Sequence, residues 1–280
     1  MSISLLFLGT LALWGLRPYF LGVLPISSGF VLGPFSFHYY GLAIASGILA
    51  SYLAAWILWP QERQLFDRLI LPLVVGGIIG ARLGFVLTQL SYYLDNPVDI
   101  FILSQGGLSI HGALAGGALT LWLFVQGTKG SFWRLADRIA PLVALAQAVG
   151  RFGNFANQEA IGGPTSLPWK LSVAPLSRPL GFEHQAFFHP LFLYEALGSF
   201  FLFVLLTHLA LKGNKGKTPG WILGWYLVLY SSLRFGLEFI RLETIAWGWL
   251  TVAQWVSLGL IFVGITLIIR RGGFKLEERI

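Results

Sequence analysis

Long apolar runs separated by short polar gaps dominate the chain. Their lengths and continuity predict spans near 38–58, 69–90, 109–126, 136–150, 190–211, 219–240 and 251–270. Most approach or exceed the roughly 18–20 apolar residues that a helix needs to cross a bilayer. Lipid offers no partner to an open sheet edge, and the runs are too continuous for the alternating strands of a barrel, so helices are expected. A further apolar run, residues 3–16, is short and stops at Arg17-Pro18. No small-residue cleavage site stands out, so residues 1–37 read as an uncleaved N-terminal apolar arm or anchor. The pattern predicts an all-α polytopic membrane protein with about seven transmembrane helices, formed by residues 38–280.

Composition narrows the class. Of 280 residues, 56% are hydrophobic and only 11% charged, which excludes an ordinary soluble domain. Cysteine is absent, so the chain has no disulfide, no thiolate metal site and no cysteine nucleophile. The net charge of +7 would suit nucleic acid, but its distribution argues against that partner. Arg63 and Arg68; Lys129, Arg134 and Arg138; Lys212, Lys215 and Lys217; and Arg270, Arg271, Lys275 and Arg279 fall in alternate gaps, while the gap 91–108 has no Lys or Arg. The positive-inside rule then places the loops 59–68, 127–135 and 212–218 and the C-terminus in the cytoplasm. The 91–108 loop and a small head segment, about 151–189, face outward.

Against this apolar background the polar residues stand out. Gly150-Arg151-Phe152-Gly153-Asn154-Phe155-Ala156-Asn157-Gln158-Glu159 packs a cation, amides and a carboxylate into the end of one span. A charge at a span centre costs roughly 2.5–3.5 kcal/mol on insertion scales, so a site for a charged molecule is the natural compensation. A planar guanidinium suits bidentate binding of phosphate. The competing reading is a helix end capped by amides, with Arg151 paired to Glu159.

Arg234, Glu238 and Arg241 share one helix face with Tyr226 and Tyr230. Two arginines face one carboxylate there, leaving a cation for an anion, although a structural ion pair is the alternative. Arg82 lies among Gly76, Gly80 and Gly84, whose spacing lets another helix approach closely. It reads either as a packing residue or as a lipid-binding cation. His111, flanked by glycines at the outer start of a span, reads as a general base or a hydrogen-bond donor. No second histidine stands at ligand spacing, so no metal site is expected. Tyr40 opens a span at the outer interface, where aromatic residues are usually belt anchors.

Two arginines near one membrane face suit a phospholipid headgroup. A transporter or channel for an anionic substrate is the alternative, but no inverted repeat or pair of broken helices is visible.

Taken in order, the blocks resemble the prolipoprotein diacylglyceryl transferase family of bacterial inner membranes. They are His38-Tyr39-Tyr40-Gly41, Gly80 to Gly84, Gly106 to Gly112, Asp137 to Pro141, Gly150 to Glu159 with Gly162-Gly163, His189-Pro190 through Tyr194-Glu195, and Arg234 to Arg241. Ala113 stands where the family often has a second glycine, and the segment before Tyr40 is longer than usual. The resemblance implies seven spans, with the head inserted at about 151–189. It implies transfer of diacylglyceryl from phosphatidylglycerol to the lipobox cysteine of a prolipoprotein, forming a thioether and releasing glycerol phosphate. By motif, the family's essential tyrosine and histidine fall on Tyr40 and His111. Its signature arginine, asparagine and glutamate fall on Arg151, Asn154 and Glu159, and its second arginine, carboxylate and arginine on Arg234, Glu238 and Arg241. His111, Arg151, Arg234 and Tyr40 are thus the expected catalytic residues. Arg151, Asn154, Arg234, Glu159, Glu238, Arg241 and Arg82 are the expected phosphatidylglycerol contacts. No cofactor is expected, and the site is expected toward the outer leaflet of a multi-pass protein.

Overall fold

A computed structural model describes residues 16–23, 26–33, 35–102, 106–127, 131–212, 218–242 and 244–272. Residues 1–15, which carry nearly all of the apolar run 3–16 within the expected arm 1–37, lie outside this set, as do Lys129, Lys215, Lys217, Lys275 and Arg279. Long helices dominate: α1 Tyr39–Leu58, α2 Arg63–Thr88, α3 Ile110–Gln126, α4 Phe132–Asn157, α5 Leu191–Leu211, α6 Trp221–Leu237 and α7 Val252–Arg271. Among the described residues, four stretches are long and apolar enough to cross a membrane: Tyr39–Leu58, Pro60–Thr88, Leu191–Leu211 and Val252–Arg271. Ile110–Gln126 is apolar but shorter.

Short strands accompany the helices. Among the described residues there are three two-stranded antiparallel sheets. They pair β1 Gly29–Leu32 with β2 Phe35–His38, β3 Leu171–Ser172 with β4 Phe187–Phe188, and β5 Ala246–Trp247 with β6 Leu250–Thr251. Pairs this short carry too few alternating positions to be seen against the apolar runs.

Two compact units divide the chain, one formed by Met1–Ser51 with Asp137–Ile280 and the other by Tyr52–Ala136. The second unit is organised by α2 against α3. Gly80 and Gly84 meet Gly112 and Gly116 so closely that a methyl group on Gly80 would stand 2.7 Å from the Gly116 Cα, and one on Gly84 2.8 Å from the Gly112 Cα. Backbones approach this closely only where both helices present small residues. Ser109 begins α3 by accepting a hydrogen bond from the Gly112 amide at 3.3 Å.

In the first unit, Ala140 and Ala144 of α4, Leu202 and Leu206 of α5, and Trp221, Ile222 and Tyr226 of α6 form a buried apolar cluster. The start of α6 follows a left-handed Gly220 that supplies no side-chain cap. Asp137 of α4 supplies it instead, accepting from the amides of Gly220 at 2.7 Å and Leu223 at 2.8 Å. A carboxylate there satisfies orphan donors and complements the positive helix end. In α7, Thr251 and Gln254 form a reciprocal capping box. The head segment has its own small core of Ile161, Val173 and Phe188. A second cluster joins Phe20 of the N-terminal segment to Leu171 and Phe192.

Candidate functional site

The signature run folds back on itself at the end of α4. The Gln158 amide donates to the Phe155 carbonyl at 3.1 Å, and the Glu159 amide to the Asn154 carbonyl at 2.9 Å. This is a Schellman ending, with Gln158 at the left-handed position that glycine usually fills. The Gln158 side chain is used elsewhere: its Oε1 accepts from the Ala174 amide at 2.7 Å, tying the helix end to the head segment. The turn brings Glu159 to the amides of Asn157, at 2.7 Å, and Asn154, at 3.5 Å.

Arg151 points the other way. Its Nη1 donates to Asn154 Oδ1 at 3.2 Å, and its Nη2 pairs with Glu195 Oε1 at 2.5 Å. Glu195, in the second turn of α5, is only 1% exposed. It also accepts from the Tyr230 hydroxyl of α6 at 3.0 Å, and its Oε2 stands 3.8 Å from Arg234 Nη1. Arg234 in turn pairs through Nη2 with Glu238 at 2.9 Å, and its buried Nη1 has no hydrogen-bond partner. One buried carboxylate therefore serves both arginines. Residue spacing could not reveal this, because Glu195 is 44 positions from Arg151. Its only signal in the sequence is its place in the His189 to Glu195 block.

The rest of the α6 stripe supports this arrangement. Tyr226 and Tyr230 stack with ring centroids 5.7 Å apart, and the Tyr226 hydroxyl donates to Gln147 at 3.1 Å. Thr251, the capping residue of α7, donates to Glu238 Oε1 at 3.2 Å. Arg241 lies beyond the end of α6 and pairs as an isolated β-bridge with Gly162, while the Gly163 amide donates to the Ile240 carbonyl at 2.8 Å. The glycine pair after the signature run thus carries the head segment to Arg241. Burial first, and then the Arg234 charge, press the Arg241 pKa below its ordinary value, although Glu238 and Glu195 oppose this. Its surroundings are already rich in cations, and Arg241 makes no ion pair among the described residues.

Tyr40 is half-exposed in the first turn of α1, against Gly153. A methyl group on Gly153 would stand 2.8 Å from the Tyr40 ring and 3.1 Å from its Cα, so the glycine is required for that approach. Arg151, Asn154, Glu159, Arg234, Glu238, Arg241 and Tyr40 all belong to the first unit.

His111 and Arg82 belong to the second. His111 lies exposed in the first turn of α3, just after the Ser109 cap. Arg82 is 5% exposed and commits its donors to backbone carbonyls. Nε bonds Ile100 at 2.8 Å, Nη1 bonds Gly106 at 2.7 Å and Gly107 at 3.1 Å, and Nη2 bonds Asp99 and Ile102. The guanidinium also lies over the Tyr93 ring at 5.3 Å. A buried charge is tolerated when its donors are satisfied in this way. No cluster of three or more His, Cys, Asp or Glu suited to a metal ion occurs among the described residues.

Chemically, the first-unit cluster offers cations that are partly neutralised but not saturated. Its guanidiniums are held by two carboxylates, an amide and a phenol. A preorganised set of this kind is suited to stabilising negative charge with little reorganisation.

Comparison with known proteins gives a consistent picture. The family model for prolipoprotein diacylglyceryl transferase matches residues 28–270. A phosphatidylglycerol–prolipoprotein diacylglyceryl transferase of Synechocystis sp. is 40% identical over 243 residues, covering 84% of this chain and 85% of its own length. One from Fervidobacterium nodosum is 39% identical over 242 residues, covering 84% and 81%. One from Acaryochloris marina is 40% identical over 245 residues, covering 85% and 87%.

Proposed function

The chain belongs to the prolipoprotein diacylglyceryl transferase family, and from that premise we infer that it transfers the diacylglyceryl group of phosphatidylglycerol to the cysteine thiol of a prolipoprotein. It is a membrane transferase of lipoprotein maturation. In the reaction, the cysteine sulfur forms a bond to the glyceryl carbon attached to phosphate. The carbon–oxygen bond breaks, and its electron pair leaves on the phosphate oxygen as glycerol phosphate. The thiol proton passes to a base.

The sharing of Glu195 by Arg151 and Arg234 carries the reading of the site. Each guanidinium is oriented, yet Arg234 Nη1 stands 3.8 Å from Glu195 without a hydrogen bond, and Arg241 makes no ion pair among the described residues. These are the groups that receive the phosphate and offset the charge growing on the leaving group. Asn154 and Tyr40 hold the headgroup region. Glu238 aims Arg234, while Glu159 acts on Arg151 only through Asn154. His111 is the residue of suitable type to accept the thiol proton or to orient the lipid. Arg82, with its donors on the carbonyls of Asp99, Ile100, Ile102, Gly106 and Gly107, holds those residues instead of touching lipid.

The seven long helices serve as seven spans, with the head segment and the site toward the outer leaflet of a bacterial inner membrane and the C-terminus in the cytoplasm. The clustered cations of the alternate gaps and the lack of Lys or Arg in the 91–108 gap support this orientation.

One assay tests the function: purified protein, phosphatidylglycerol and a peptide bearing a lipobox cysteine, with the peptide mass followed. A gain equal to one diacylglyceryl group is expected. Lipid binding without that gain, or flux across sealed vesicles without it, overturns the reading.

A further inference from the structure

Beyond the arginine cluster, the β5–β6 hairpin presents large exposed apolar side chains off the long helices. Ile245, Trp247 and Trp249 are 77%, 71% and 101% exposed. They are not on a loose loop. The register Ala246↔Thr251 and Trp247↔Leu250 fixes the strands, and Gly248 makes the turn at φ +67°, where a side chain would be strained. The Val252 amide closes the hairpin on the Ile245 carbonyl at 2.9 Å, and Trp255 Nε1 donates to the Trp247 carbonyl at 3.0 Å. Two indoles are therefore held outward at the start of α7, a stretch long and apolar enough to span a membrane.

The covering partner follows from continuity and charge. From Thr244 to Ile269 the sequence contains no Asp, Glu, Lys, Arg or His. No charge in that stretch specifies a protein surface, and none opposes burial in lipid. An indole has an apolar body and one polar N–H, and it favours the headgroup level of a bilayer. We propose that the hairpin of residues 245–251 is seated in the lipid–water interface, with Trp247 and Trp249 among phospholipid headgroups. The seat lies at the same end of the helices as the arginine cluster, because Thr251 both caps α7 and donates to Glu238. It therefore fixes the level of α7 relative to the leaflet from which a lipid substrate enters.

The cysteine-free chain makes the test direct. Trp249→Cys, and separately Trp247→Cys, carries a sole thiol for an environment-sensitive fluorophore, with the full chain in phospholipid nanodiscs. Leu176→Cys, at a fully exposed head position, serves as the aqueous reference. Lipids brominated near the top of the acyl chain are expected to quench both hairpin labels strongly, and aqueous iodide to quench them less than the reference. Iodide quenching equal to the reference overturns the proposal. So does stronger quenching by mid-chain bromine. Shielding from iodide with no bromolipid quenching indicates a protein partner and overturns it as well. The readout needs no turnover, so it stands apart from the transferase reading.

Discussion

Glu195 holds two guanidiniums with one carboxylate, which makes it the residue whose chemistry is easiest to separate from its shape. Glu195→Gln keeps the volume and one acceptor oxygen but removes the charge between Arg151 and Arg234. Displacing a positioned catalytic group by about 1 Å costs on the order of a hundredfold in rate, so turnover is expected to fall by about that factor while folded protein is retained. Glu195→Asp is expected to recover part of the loss. Initial rates of peptide lipidation and thermal unfolding of the same preparations check this, and full activity in Glu195→Gln would refute it. The local part of the network was legible in the sequence. Arg234 and Glu238, four apart on a helix, do pair. The pairing of Arg151 with Glu159 does not form, because the left-handed turn at Gln158 hands Glu159 to two asparagines. Spacing reports only partners one turn away, and Glu195 arrives from another helix.

The long helices follow from continuous apolarity, yet their ends depend on contacts that hydropathy cannot see. Helix α4 runs from Phe132 to Asn157, well past the expected 136–150, because its polar last turns are satisfied by Glu195, Glu159 and the Schellman bonds instead of by water. Helix α6 starts where the distant Asp137 caps it. The glycine face of α2, by contrast, was readable from its four-residue spacing, and Gly80 and Gly84 do meet the facing glycines of α3. Gly80→Val places methyl groups where the Gly112 carbonyl and Gly116 Cα already stand. Overpacking of this kind costs about 1–3 kcal/mol, or more when backbone must move. A lower melting temperature in detergent is expected, while Gly117→Val, where a Cβ meets open space, leaves it nearly unchanged. Equal melting of the two variants would show that the close approach is not required.

Across the whole molecule, the crowding of cations into alternate gaps makes an orientation testable with the same cysteine-free background. Leu176→Cys in the head segment is expected to react with an impermeant maleimide in intact cells, and Lys212→Cys only after permeabilisation. The reverse pattern would overturn the topology. Length and continuity of apolar runs made the chain a helical membrane protein, since backbone groups in lipid must be satisfied within each element. Ordered polar blocks were enough to indicate a phosphate-binding transferase. Which cations remain without a hydrogen-bonded or ionic partner could be read only from the fold. Arg82 is consumed by carbonyls and Arg151 by Glu195, whereas Arg234 Nη1 faces Glu195 without a hydrogen bond and Arg241 makes no ion pair among the described residues. A residue's charge is written in its side chain, but the neutralisation of that charge depends on groups brought near from distant parts of the chain.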